Sequence, residues 1–365
     1  MKRFLIVCAL FLLISVHFSL NARAYGNETE QSIAENAGAL DLESDYLTQA
    51  QISGDEGVNI FERALTIIYD AFTDGKSTCL ASFGALLAVV ILSSILNALK
   101  FDNDNLEAAL SYISVLAISG VAYSILYKLF VVVIASMEAL TLATSSLLPI
   151  MASLHVFGGT VATGAASSAG IATFLTLLSN LCTRVLMPLL RISFALCLSG
   201  AMPSCVNLSS LTSLIKNTLT SLTAFLFSLM SFALYLQSSV ASASDSFLMR
   251  SVKFATGVFV PVIGGVLGDA TRTVAASVSV VKGSVGAVGI VMVLSAVLPP
   301  LITVAMHKLL LLGCAITAKT LSCERESMFL YELCGMLNVL LALVAGACVV
   351  SIIFFAILIK SGAAV

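Results

Sequence analysis

The sequence predicts an all-α, polytopic membrane protein of about six to eight spans, some of them broken or re-entrant. Two observations carry that expectation. Hydrophobic residues make up 59% of the 365-residue chain and charged residues 10%, with a mean hydropathy of +1.06. A soluble domain carries about 25% charged residues, so this composition does not cover a water-facing surface. Charge-free runs occupy Ser77–Leu99, Ala108–Tyr127, Ala139–Thr183, Ile192–Ile215, Asn217–Ser244, Gly283–Met306 and Leu333–Ile359, and about 20 apolar residues suffice for a helix to cross the hydrocarbon core. Backbone in lipid must satisfy its own hydrogen bonds, and the runs lack the alternation of a β-barrel, which leaves a helical bundle.

Residues 1–24 read as a cleavable signal peptide. Met1-Lys2-Arg3 gives a positive start, Phe4–Leu20 is mostly apolar, and Ala22-Arg23-Ala24 supplies the small-x-small cleavage pattern. An uncleaved first transmembrane helix is the alternative. Cleavage would leave Tyr25 as the mature N-terminus, outside the cytoplasm.

Residues 25–76 form an acidic extracytoplasmic segment with eleven acids and only Arg63 and Lys76 as bases. Apolar residues at Phe61, Ala64, Leu65, Ile68 and Phe72 have helical spacing and predict a short amphipathic helix over 58–72, against a wholly solvated spacer. Residues 77–365 form the polytopic domain, with thirteen bases and nine acids. With the N-terminus outside, the span from Ser77 brings Lys100 to the cytoplasm, in keeping with the positive-inside tendency, and a second span ends near Tyr127.

Proline and glycine mark the interior of this domain. Pro149 and Gly158-Gly159 are followed by Pro188, 39 residues after Pro149; Pro261, Gly264, Gly265 and Gly268 are followed by Pro300, 39 residues after Pro261. The common offset of 112 residues suggests an internal duplication over 145–240 and 257–359, with coincidence as the alternative. Pro removes a backbone donor and Gly permits sharp turns. At membrane depth such segments either line a pathway or let helices pack closely. Gly283, Gly286 and Gly289 are a close-packing surface in the same sense.

Ionisable groups within apolar runs are often functional. Asp269 and Arg272, three apart, would share one helical face and are the candidate pathway pair. Lys128, Glu138 and His155 flank or interrupt apolar runs, and Arg184, Arg191 and Lys360 read as snorkelling helix-end groups. No catalytic, cofactor or metal constellation is expected. His155 and His307 lie far apart in sequence and outside any ligand motif, and Gly159–Gly164 lacks the lysine of a phosphate loop, with Ala165 in its place. No C-x-x-C pair occurs, and the cysteines read as small apolar residues. Basic runs are absent, which argues against nucleic acid as a partner.

The stretch from Lys253 to Ala270, KFATGVFVPVIGGVLGDA, carries the most specific pattern, followed by Pro299-Pro300 and a long C-terminal span. Together with the signal, the acidic segment and the polytopic region, it resembles the stage III sporulation protein AE family of endospore-forming Firmicutes. The resemblance covers essentially the whole chain. It implies a multi-pass protein of the mother-cell membrane around the forespore, in the complex that supports late forespore gene expression after engulfment. The implied partners are the other membrane proteins of that complex, among them an ATPase and ring-forming subunits, with the bilayer and a second copy of the chain. It implies no catalytic residues. A self-contained secondary transporter and an intramembrane enzyme are the alternatives from other classes.

Overall fold

The structure, a computed structural model, describes residues 60–98, 104–201, 209–259 and 264–360. The signal peptide and most of the acidic segment lie outside the described residues, as does Pro261. The described residues contain helices and no strand: α1 (Ile60–Ala98), α2 (Asp104–Phe157), α3 (Val161–Asn180), a π-helical segment (Leu181–Leu186), α4 (Met187–Ala201), α5 (Ser209–Phe259), α6 (Gly264–Thr320) and α7 (Glu324–Lys360). Among the described residues, six stretches are long and apolar enough to cross a membrane: Arg63–Leu96, Tyr112–Phe157, Val161–Asn180, Ser213–Ser251, Ala276–Thr320 and Glu324–Lys360.

Two boundaries differ from the sequence reading. α1 runs unbroken through Ser77, so the amphipathic stretch over 58–72 is, from Ile60 on, continuous with the apolar run instead of a separate surface helix. α2 runs unbroken through Lys128 and Glu138, so the second span does not end near Tyr127. The reason is that charge does not break a helix. No Gly or Pro lies between Val121 and Leu148, and turn chemistry first appears at Gly158-Gly159. Gly159 sits at φ 71, the left-handed conformation that lets α2 turn into α3.

Contacts between the helices fix their directions. Gly75 lies level with Met306, Phe83 with Gly313, and Ser94 donates to the Leu321 carbonyl, so α1 and α6 are parallel. Ser136 meets Ala296, and His155 meets Lys282, so α2 is antiparallel to α6. Gly286 receives Ile359 and Gly289 receives Phe355, so α7 is antiparallel to α6. Phe227 fills the surface at Gly346, while Leu234 sits against Gly170. With Lys216 at Glu332 and Asp245 at Thr163, these place α5 parallel to α7 and antiparallel to α3. The result is an up-and-down arrangement in which α7 is the enclosed member: Leu330, Leu333, Leu337, Leu343, Val344 and Ala347 have no exposed surface. The α6–α7 seam uses the glycines that read as a close-packing surface. A side chain at Gly286 or Gly289 would overlap Ile359 or Phe355, whereas Gly283 has open space.

The prolines are accommodated in two ways. Pro299 and Pro300 lie inside unbroken α6 and Pro149 inside unbroken α2. Pro300 has no N–H to give the Ala296 carbonyl, and the Ser136 hydroxyl of α2 donates to that carbonyl at 2.7 Å. Pro188 is the second residue after the π-helical segment; it has no N–H for the Arg184 carbonyl, and the ladder widens at that place. Residues 145–240 turn at Gly158–Thr160 and carry the π segment; in the second stretch Gly264–Thr320 is one helix, followed by a turn and α7.

Candidate functional site

Buried charged residues gather at two levels of the bundle. At one level, where α2 turns into α3, four elements bring polar groups together. His155 closes α2, Thr160 precedes α3, Asp245 comes from α5 and Lys282 from α6; His155, Asp245 and Lys282 are 0%, 4% and 1% exposed. The Lys282 ammonium donates to Thr160 Oγ1 at 2.9 Å and lies 3.1 Å from His155 Nδ1. Thr160 Oγ1 in turn is 2.8 Å from Nδ1 and donates to the His155 carbonyl at 3.3 Å. An ammonium donating to Nδ1 makes that nitrogen the acceptor, which puts the imidazole proton on Nε2. Nε2 is buried without a partner among the described residues.

Asp245 completes the cluster from the other side. Its Oδ1 accepts the Ala162 N–H at 2.9 Å, and its Oδ2 accepts the Thr163 N–H at 2.8 Å and the Thr163 hydroxyl at 2.7 Å. A carboxylate from another helix therefore satisfies two of the free N–H groups that open α3 and matches the positive end of its dipole. Small residues make room. A Cβ on Gly158 would come 3.1 Å from the Lys282 nitrogen, and one on Gly164 would come 2.6 Å from His155 Cβ.

The second level is marked by Lys216 of α5, which bonds the Glu332 carboxylate of α7 directly and the Glu332 carbonyl at 3.1 Å. Gly335 leaves the space for that ammonium. Farther along, Ser93 of α1 and Ser114 of α2 donate to the buried Glu326 carboxylate of α7 at 2.6 and 2.7 Å. Between the two levels, Asn217–Ser244, Gly283–Met306 and Leu333–Ile359 carry no charge. At 1.5 Å per residue the Gly283–Met306 run is about 35 Å long, which matches a hydrocarbon core of about 30 Å.

The family model for stage III sporulation protein AE matches residues 43–362. The chain belongs to the stage III sporulation protein AE family. A relative of that name from Bacillus subtilis (strain 168) is 28% identical over 189 residues, covering 47% of this chain and 46% of the relative. That alignment therefore spans about half the length of the relative. No solved structure matches.

Within this family member, the sequence-predicted residues scatter. Gly158 and Gly159 belong to the polar turn. Pro149 and Pro188 are exposed on α2 and α4, and Pro300 is buried in α6. Gly264, Gly265, Gly268, Asp269 and Arg272 lie in the first turns of α6, with side chains outside the described set. Sequence reading passed over Lys282 and found no motif for Asp245. Their signal was that each closes a long charge-free run, Gly283–Met306 and Asn217–Ser244. Among the described residues, no group of three or more His, Cys, Asp or Glu side chains could hold a metal ion.

Proposed function

We propose that this chain is a membrane component of the complex that joins mother cell and forespore after engulfment and sustains late forespore gene expression. Membership of the stage III sporulation protein AE family over residues 43–362 carries the reading. The family is named for a stage of sporulation and not for a reaction, and the polar groups described above brace helices against one another. The proposed place is the mother-cell membrane around the forespore. The proposed partners are the sibling membrane proteins of the complex, its ATPase and its ring-forming subunits. The candidate pathway pair, Asp269 and Arg272, stands within this proposal as polar lining on α6.

Orientation belongs to the same proposal. The N-terminal segment faces the space between the two membranes.

Deletion of the gene tests the role. The expected result is development that stops after engulfment, with reduced late forespore reporter activity. Normal sporulation of the deletion strain would overturn the reading.

A further inference from the structure

We propose that the His155–Lys282 contact is an acid-released latch. It holds the α2–α3 turn against α6 while His155 is neutral, and it lets go when the ring takes a second proton. The Lys282 ammonium lies 3.1 Å from Nδ1 and donates to Thr160 Oγ1, which is itself 2.8 Å from Nδ1. Both neighbours crowd the one ring nitrogen that can still accept a proton, since Nε2 already carries one. His155 and Lys282 are 0% and 1% exposed, so water does not screen them from each other.

A second proton enters on Nδ1 and finds no acceptor. It meets the ammonium, and a donor–acceptor contact becomes two cations facing each other. Thr160 Oγ1 already accepts from Lys282. Asp245, the carboxylate of the cluster, has its oxygens committed to the Ala162 and Thr163 N–H groups and the Thr163 hydroxyl. Nε2 has no partner among the described residues. A buried charge without a counter-charge is costly, and parting His155 from Lys282 relieves it.

Among the described residues, no other ionisable group offsets that charge. Lys282 of α6 and Asp245 of α5 are the charged groups whose fields reach the ring. α3, which packs on His155 through Gly164, contains no Asp, Glu, Lys, Arg or His. On α2 the nearest charge is Glu138, about 25 Å away along the axis. Arg250 of α5 and Lys360 of α7 are exposed. The inference rests on the geometry of the turn and is independent of the sporulation role.

The test is amide exchange of the purified full chain in detergent micelles, read as protection relative to the free-peptide rate at each pH. The two conditions, about pH 7.5 and about pH 4.5, bracket the ordinary titration of histidine near 6.5. Gly158, Gly159 and Thr160, whose N–H groups bond the Leu154, Val156 and His155 carbonyls, should lose protection several-fold in acid. Residues 337–343 of α7 should keep theirs. His155→Gln retains an acceptor toward Lys282 and has no proton to gain, so its turn should be equally protected in both conditions. Lys282→Met removes the facing cation and should remove most of the acid response, whereas Asp245→Asn should keep it. Equal protection of the wild-type turn in both conditions overturns the proposal. So does an undiminished acid response in a folded His155→Gln or Lys282→Met, or its disappearance in Asp245→Asn.

Discussion

The Ser136–Pro300 relationship makes a sharp quantitative prediction. Ser136→Ala removes the donor to the Ala296 carbonyl, the group that Pro300 leaves without an intrahelical partner. Ser136 is buried, so water does not replace it. Interhelical hydrogen bonds in membranes average about 0.6 kcal/mol and reach about 1.7. An otherwise unpaired carbonyl in the charge-free zone belongs at the upper end, so the loss should be about 1–1.5 kcal/mol, roughly tenfold in the unfolding equilibrium. Pro300→Ala restores an N–H to the α6 ladder, and Ser136→Ala on that background should then be nearly neutral. A double-mutant cycle of reversible unfolding in mixed detergent–SDS micelles measures the difference. If Ser136→Ala weakens the protein equally in both backgrounds, the hydroxyl does not substitute for the missing proline donor and the reasoning fails.

Two further perturbations probe the packing. Asp245→Ala removes the acceptor of two α3 N–H groups and the Thr163 hydroxyl; charge-assisted bonds contribute about 1.5–3 kcal/mol each and do not add, so the loss should be about 2–4 kcal/mol. Asp245→Asn should fall between it and the wild type. Amide exchange at Ala162 and Thr163 should accelerate in Asp245→Ala, and unchanged exchange there would refute the cap. Gly289→Val forces a side chain into Phe355 and should lower stability by about 1–3 kcal/mol or more, while Gly283→Ala, in open space, should be neutral or gain up to about 1 kcal/mol. Thermal midpoints of the two variants decide this, and equal midpoints would remove the α6–α7 seam from the argument.

What the sequence determined by itself follows from local chemistry. Long charge-free runs can only be membrane helices, because lipid offers the backbone no partners, and that much needed no tertiary information. Gly158-Gly159 was legible as an interruption because left-handed backbone is cheap only for residues such as glycine. Gly286 and Gly289 were legible as packing surface because a bare backbone invites a neighbour. Whether Lys128 and Glu138 ended a span was not legible, since a charge carries no information about helix continuity. The partners of the prolines were equally hidden: Ser136 and Ala296 are 160 residues apart, and only the fold brings a hydroxyl to the freed carbonyl. The same holds for Lys282 with His155, 127 residues apart, and for Asp245 with Thr163, 82 apart. Each looked like a lone charge or a helix end in the sequence. Tertiary structure decided which of them meet, because the energy of burying a charge depends on what faces it across the bundle, and sequence distance says nothing about that.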